Sequence, residues 1–413
     1  MPTPRSYEAS HPWITFVADL TGLSFHTWLL LGEASARSGH VGRALLRPDV
    51  AEDLLRVYLV RGALASTAIE GNTLSEEEAR LVADGSLRLP PSREYLGQEI
   101  NNVIGAFNEI RAEVFDHDGE PDGDVPITVE QIKRWNRQAL ADLEVGEDVV
   151  PGEIRTHSVV VGTYRGAPAG DCEHLLERLC AWLNAGDFSS DDPRLRAPLA
   201  IVKAVFAHLY LAWIHPFGDG NGRTARLLEL QILLSSGFAI PTTQLLSNHY
   251  NATRTEYYRQ LDLASRSQSP IDFVHYAVEG FVDELYAQLD RIWSMQYADR
   301  WEQFLYESFG EVRTDSERRR LRLVKDLSRA SIVGDGSLGP LPRLRSVPRH
   351  EIRHLSPQLA ELYAGKTERT LSRDLEELIE RDLIWRSDDG YRPASDRVLA
   401  FMPPARGREG LTI

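Results

Sequence analysis

Apolar positions recur at helical spacing along most of this chain. The run from Ala200 to Ile214 is hydrophobic on every side and has the length of a buried helix. Pro216 closes it near His215, because the residue before a proline is driven out of the α region. A second helical pattern runs from Arg223 to Leu234, with Leu227, Leu230 and Leu234 on one face. Leu175, Leu176, Leu179 and Leu183 mark a third, and the first hundred residues read as helical after an extended apolar segment, His11 to Phe16. A long helix is predicted from near Ile271 to Phe309, carried by Phe281, Leu285, Leu289, Ile292, Phe304 and Leu305, with Trp293 and Trp301 as packing residues. The pattern turns β-like in two places. Val159 to Val161 reads as one strand of a hairpin, with its turn near Gly162 to Gly166 and a short return ending near Ala169. Leu383 to Arg386 and Tyr391 to Pro393 flank Asp388-Asp389-Gly390 as a second hairpin. The fold class is mainly α.

Composition sharpens this only at the edges. A chain of 413 residues with 42% hydrophobic and 26% charged content has room for two or three globular domains. No charged-then-apolar leader opens it and no apolar run reaches about 18 residues without a polar interruption, so the expectation is a cytoplasmic protein with no membrane partner. Cys172 and Cys180 share one helix at a spacing of about 12 Å, too far to bridge, and read as reduced core thiols. Charge divides the chain. Residues 311–413 hold 20 Lys/Arg and 17 Asp/Glu, a net of +3, against 26 and 44, or −18, for residues 1–310. The asymmetry predicts a separate C-terminal domain with a different kind of partner.

The candidate chemistry lies between the two central helices. His215-Pro216-Phe217-Gly218-Asp219-Gly220-Asn221-Gly222-Arg223-Thr224-Ala225-Arg226 places a base, a carboxylate, an amide and two guanidinium groups around three glycines that open onto a helix N-terminus. Free N–H groups and the helix dipole favour an anion there, and glycine lets it approach the backbone. Arg223 and Arg226 lie on neighbouring positions of one face and can each clamp a phosphate. Asp219 offers a hard oxygen to Mg²⁺, and His215 can take a proton from an attacking hydroxyl. A calcium loop is excluded, since its fifth position would be Arg223 and its twelfth Leu230. A P-loop is excluded by the absence of Lys before Thr224 and by the helix that precedes the motif.

This stretch resembles the Fic family motif His-Pro-Phe-x-(Asp/Glu)-Gly-Asn-Gly-Arg-x-x-Arg at every defined position. The resemblance implies a compact helical core, from about residue 94 to 289, that transfers a nucleotide moiety, usually AMP from ATP, to a protein hydroxyl. It makes His215 the general base, Asp219 the Mg²⁺ ligand, and Asn221 a phosphate-binding amide among Gly218, Gly220 and Gly222. Arg223 becomes a clamp on the inner phosphates and Arg226 one on the γ-phosphate. Upstream, Ser66-Thr67-Ala68-Ile69-Glu70-Gly71-Asn72 fits the family's inhibitory (Ser/Thr)-x-x-x-Glu-(Gly/Asn) pattern, within an N-terminal region of residues 1–93. Glu70 pairing with Arg226 would occupy the γ-phosphate position and repel the phosphate itself. The hairpin at Val159 resembles the flap on which Fic proteins align an extended target segment by strand addition.

Beyond connecting helices over residues 290–330, residues 331–413 resemble the winged helix-turn-helix domain found behind some bacterial Fic cores. Ser356 caps a short helix ending at Tyr363, Gly365 makes the turn, a second helix follows over Thr367 to Arg381, and Lys366 to Arg381 takes the recognition position. Arg369 and Arg373 share its outward face, but Glu368, Asp374, Glu376, Glu377, Glu380 and Asp382 make its surface less basic than a groove reader's. DNA, another protein or a homodimer partner are the expected occupants. The expected function is adenylyl transfer to a protein or to the chain itself. Its rivals are AMP removal with Glu70 positioning water, and a DNA-binding regulator that uses the Fic core as a nucleotide sensor.

Overall fold

The computed structural model describes residues 5–115, 125–333 and 343–399. The expected Asp116 to Asp124 loop and the middle of the Ser331 to Arg349 loop lie outside them. Two compact units, residues 1–286 and 287–413, are set apart by their internal contacts.

In the first unit, α1 (Ser6–Ser10), α2 (Phe25–Gly42), α3 (Pro48–Ile69), α4 (Glu76–Ala83) and α5 (Glu94–Val114) precede α6 (Val129–Ala139) and the hairpin β1 (Val160–Val161) and β2 (Tyr164–Arg165). α7 (Cys172–Leu183), α8 (Pro193–Ile214), α9 (Asn221–Ser235), α10 (Leu245–Ala252), α11 (Arg254–Ser267) and the first part of α12 (Ile271–Phe309) follow. α8 and α9 form the central pair, and α9 is further enclosed by α3, α5 and α6. α8 is buried on nearly every side from Pro198 onward, as its unbroken apolar run requires. Its 22 residues are long and apolar enough to cross a bilayer, but 83% of the apolar window is buried inside the fold, which makes it a core helix. Cys172 and Cys180 are buried and unbridged, and burial pushes their thiols up to about 11 and about 12.

α9 is unusual for a buried helix. Asn221, Arg223, Arg226, Glu229 and Gln231 are all buried within it. Such groups need partners, because an unpaired polar group away from water costs about 1–3 kcal/mol and a charge more. How those needs are met defines the site.

In the second unit, α13 (Asp315–Ala330), α14 (Pro357–Tyr363) and α15 (Glu368–Glu380) pack with two hairpins, β3 (Ile332–Val333) with β4 (Arg343–Leu344) and β5 (Ile384–Ser387) with β6 (Gly390–Pro393). Val347 adds a bridge to Tyr391. Leu371, Leu375 and Leu378 join Trp301, Leu323, Leu327 and Leu359 in one core. Asp374, counted from the sequence as a surface acid of α15, is instead fully buried. It accepts hydrogen bonds from Arg319, Arg320 and the Tyr363 hydroxyl.

Candidate active site

α8 ends at Ile214, and His215 takes φ 50°, a left-handed backbone uncommon outside glycine. Arg155 holds it there. Its Nε donates to the His215 carbonyl at 2.7 Å, while Nη1 reaches the His157 carbonyl at 2.6 Å and Nη2 the carbonyls of Ala167 and Ile214. Ile154 pairs with Phe217 as an isolated bridge, so the segment leading to the hairpin and the motif loop are laced together. Asn136 secures the other side, donating to the Asp219 carbonyl at 2.9 Å and accepting from the Gly152 N–H at 2.9 Å. The Asn221 side chain is engaged at both ends with the Phe217 backbone, at 2.9 and 2.8 Å. The side chain thus braces the loop, with one Nδ2 hydrogen and the backbone N–H of Asn221 remaining at the start of α9. Gly220 turns the chain into α9 at φ 75°.

The charged groups converge above that start. Arg226 donates through Nε to Ser66 Oγ at 2.9 Å, and through Nη2 to the Ser66 carbonyl at 2.8 Å and to Glu70 Oε1 at 2.7 Å. Glu70 caps α3, and Gly71 follows at φ 115°. The Glu70 side chain is closely surrounded yet about one-third open to the cleft, at 32% exposure. Burial pushes against its charge, but the Arg226 guanidinium, with Arg223 beyond it, holds the carboxyl below its usual range. A Cβ on Gly222 would collide with Glu70 Oε1, so the carboxylate rests directly on the first turn of α9. That is where an anion belongs. Among the described residues, Arg223 Nε and Arg226 Nη1 are buried donors without a partner.

Arg223 faces two carboxylates, Glu99 Oε1 at 3.3 Å and Asp219 Oδ1 at 3.4 Å. Asp219 is half-exposed, and its Oδ1 also accepts from the Gly220 N–H. No group of three or more His, Cys, Asp or Glu side chains is poised around a metal among the described residues. A Mg²⁺ ion here would take Asp219 as its protein ligand and complete its shell with phosphates and water, which is its ordinary habit. The His215 ring lies 3.4 Å from the Ala212 carbonyl through Nδ1, which assigns the proton to Nδ1 and leaves Nε2 as the acceptor. Burial, partly offset by that carbonyl, depresses its pKa to about 4.

Glu70, His215 and the loop from Gly218 to Gly222 line a cleft of about 680 Å³, closed on one side by Val159, Val161 and Gly162 of the hairpin and on another by Tyr257, Tyr258 and Leu261 of α11. The hairpin is shorter than expected, with Val160 opposite Arg165 and Val161 opposite Tyr164 across a Gly162-Thr163 turn. Its valines are exposed. A larger groove of about 1000 Å³ is lined by Ser38, Arg43, Arg111 and Phe238 and contains none of the motif residues. The motif residues singled out from the sequence surround the first turns of α9, where Ser66 and Glu70 meet Arg226, while Gly71 only ends α3 behind Glu70. Asn136, Arg155 and Glu99 escaped that reading. They are single polar residues far from the motif in sequence, and nothing in local periodicity sets them apart.

Residues 126–233 match the Fic/DOC family model. This segment resembles a Fic domain. It is similar to Protein adenylyltransferase fic-1 of Caenorhabditis briggsae, with 32% identity over 203 residues, 48% of this chain and 35% of that one. Protein adenylyltransferase Fic of Drosophila melanogaster is 32% identical over 209 residues, 48% and 36% of the two chains. The match spans about a third of the length of these curated relatives. Among solved structures, Fic-1 (aa134 - 508) from C. elegans aligns at a TM-score of 0.51 with 25% identity, covering 63% of this chain and 71% of that one. A Fic family protein from Desulfovibrio desulfuricans G20 shares the fold across 93% of this chain and 95% of its own, at TM-score 0.51 and 19% identity. The matched Fic domain contains α6 to α9, the hairpin, Asn136, Arg155 and the His215 to Arg226 motif. Glu70 and Glu99 reach it from α3 and α5, outside the matched residues.

Proposed function

We propose that this chain is a protein adenylyltransferase whose own Glu70 holds it in check. The observation that carries the reading is the Arg226 site, in which Glu70 Oε1 at 2.7 Å occupies the anion position at the head of α9. The curated relatives named as adenylyltransferases supply the reaction class. With Glu70 displaced, the triphosphate of ATP would lie along the start of α9, its terminal phosphate on Arg226 and its inner phosphates near Arg223 and the Gly220 to Gly222 amides. Asp219 would hold Mg²⁺, which when bound neutralises phosphate charge. The target hydroxyl, on another protein or on this chain, is presented along the exposed Val160-Val161 edge by strand addition. Neutral His215 accepts the hydroxyl proton at Nε2 as the oxygen bonds to the α-phosphorus, and the bond to the β-phosphate bridging oxygen breaks to release pyrophosphate. A cytoplasmic setting belongs to this reading and agrees with the two unbridged, buried thiols.

The test is mass spectrometry of the purified chain, alone and with candidate targets, after incubation with Mg·ATP. Glu70→Gly should acquire AMP, the wild type much less, and Glu70→Gly with His215→Ala none. Loss of a pre-existing AMP by the wild type, blocked in Glu70→Gly, would instead assign AMP removal.

The second unit supports a separate reading, a winged helix-turn-helix with α15 in the recognition position and β5–β6 as the wing. Arg369 and Arg373 are exposed on α15, and the burial of Asp374 removes one acid from that surface. We take DNA as its occupant.

A further inference from the structure

Glu99 stands apart from the groups already given a role. It lies in the second turn of α5, outside the matched Fic domain, and its two oxygens are divided between different partners. Oε1 faces Arg223 Nη1 at 3.3 Å, while Oε2 accepts from Asn72 Nδ2 at 2.9 Å. Asn72 is itself fixed, donating to the Leu96 carbonyl at 2.8 Å and accepting from the Leu74 N–H at 3.0 Å. Glu99 is thus anchored to a helix and braced from behind. Glu70 differs: it is the C-cap of α3, one residue before a glycine at φ 115°, and none of the hydrogen bonds that fix Asn72 behind Glu99 reaches its side chain.

Arg223 is 5% exposed and cannot find its orientation from water. Glu99 takes Nη1, Asp219 takes Nη2 and Nε is buried without a partner, so the guanidinium is held in its plane from one edge with a donor left over. A fixed donor whose acceptor is missing is what a preorganised anion site presents. Burial raises the Glu99 carboxyl above its usual range, and Glu70 and Asp219 add to the repulsion that Arg223 offsets. The carboxylate is retained at a cost, and Arg223 is the group that gains from it.

We infer that Glu99 is a positioning residue for nucleotide binding, holding Arg223 in the orientation that receives the inner phosphates. The inference rests on the reading of Arg223 as a phosphate clamp. It assigns Glu99 a role in the released enzyme, with Glu70 withdrawn, and not in the inhibited one.

The test is a double-mutant cycle in the full-length Glu70→Gly protein, read by calorimetric binding of Mg·ATP and of inorganic pyrophosphate and by the KM and kcat of AMP transfer. Glu99→Ala should weaken binding of both ligands about tenfold and raise KM for ATP in step, with kcat changed less. In an Arg223→Ala background the same substitution should cost less than about twofold, because the group being oriented is gone. A purely structural role for Glu99 would persist without Arg223, and that result overturns the inference. Tighter ATP binding in Glu99→Ala would also overturn it, making Glu99 an obstruction. A parent that binds pyrophosphate but transfers no AMP would refute the transferase reading while leaving the cycle to decide the role of Glu99. A parent that binds neither ligand would refute both.

Discussion

Arg223 and Arg226 stand three residues apart on one helix and meet different partners. Arg226 is paired with Glu70 at the C-cap of α3, and Arg223 with Glu99 inside α5 and with Asp219 of the motif loop. One charge-assisted pair is worth about 1.5–3 kcal/mol, so freeing Arg226 should raise AMP transfer by roughly 10- to 150-fold in Glu70→Gly. Adding Arg226→Ala should cancel the gain, since both substitutions act on one contact; a gain that survives would mean Glu70 acts elsewhere. His215 gives a second residue-level expectation. In the proposed reaction its neutral ring is the base, and burial lowers its pKa to about 4. Because the neutral form persists above the pKa and is lost as pH falls through it, kcat/KM of Glu70→Gly should stay flat on the acid side down to about pH 5 and then decline with a midpoint near 4. Glu70 raises the His215 pKa, so its removal can only move the limb lower. A limb at pH 6 to 7, where an unburied histidine titrates, would show that the ring is not the group being read.

At the scale of elements, what the sequence made legible and what it hid follow from the range of the forces involved. α12 was readable because its apolar positions recur at helical spacing, α8 because an unbroken apolar run of that length marks a buried helix, α9 because its leucines recur at helical spacing, and the His215 loop because glycine, proline and a helix start leave local marks. The hairpin was placed but its return drawn too long, since the strands pair only over Val160-Val161 and Tyr164-Arg165, with one further bond from the Gly166 N–H to the Val159 carbonyl, and two-residue strands carry almost no periodicity. Asp374 was misassigned because a carboxylate inside a helix reads as solvent-facing until α13 brings Arg319 against it. Arg155 was invisible for the same reason. It is buried, and its guanidinium ties the C-terminus of α8 to the hairpin segment through four carbonyls. A cation at a helix C-terminus is favourable in itself, and here it also supports the left-handed backbone of His215. Arg155→Ala should therefore lower unfolding stability by about 3 kcal/mol in urea titrations, by leaving buried carbonyls unpaired. Arg155→Lys should restore little, since an ammonium cannot span four acceptors lying in different directions. Full stability in Arg155→Lys would reduce the role to one of charge alone.

For the whole molecule, the charge asymmetry holds at the structural boundary too: residues 287–413 carry 22 Lys/Arg and 21 Asp/Glu, against 24 and 40 for residues 1–286. The cleft is built entirely from the first unit, between Glu70 and Ser265, and that unit carries the strong negative balance. The second unit is nearly balanced, with its exposed cations unevenly placed. Arg349 and Arg353 are paired with Glu368, whereas no ion pair joins Arg369 or Arg373 to an acid among the described residues. They lie four apart on α15, one turn of the same face, where a helix laid in a major groove would meet phosphates. If this face contacts DNA, the full-length chain should retard duplex fragments at low salt, and affinity should fall steeply as salt rises, because each neutralised phosphate releases counterions. Arg369→Ala with Arg373→Ala should weaken binding across sequences and reduce the slope of log K against log salt by about 2, roughly one unit per lost phosphate contact. AMP transfer by the same double variant in the Glu70→Gly protein should be unchanged, since neither arginine belongs to the unit that holds the cleft. Retention of the full slope would move the contact off α15, and failure of the wild type to bind any fragment at low salt would leave the second unit as a protein-docking module.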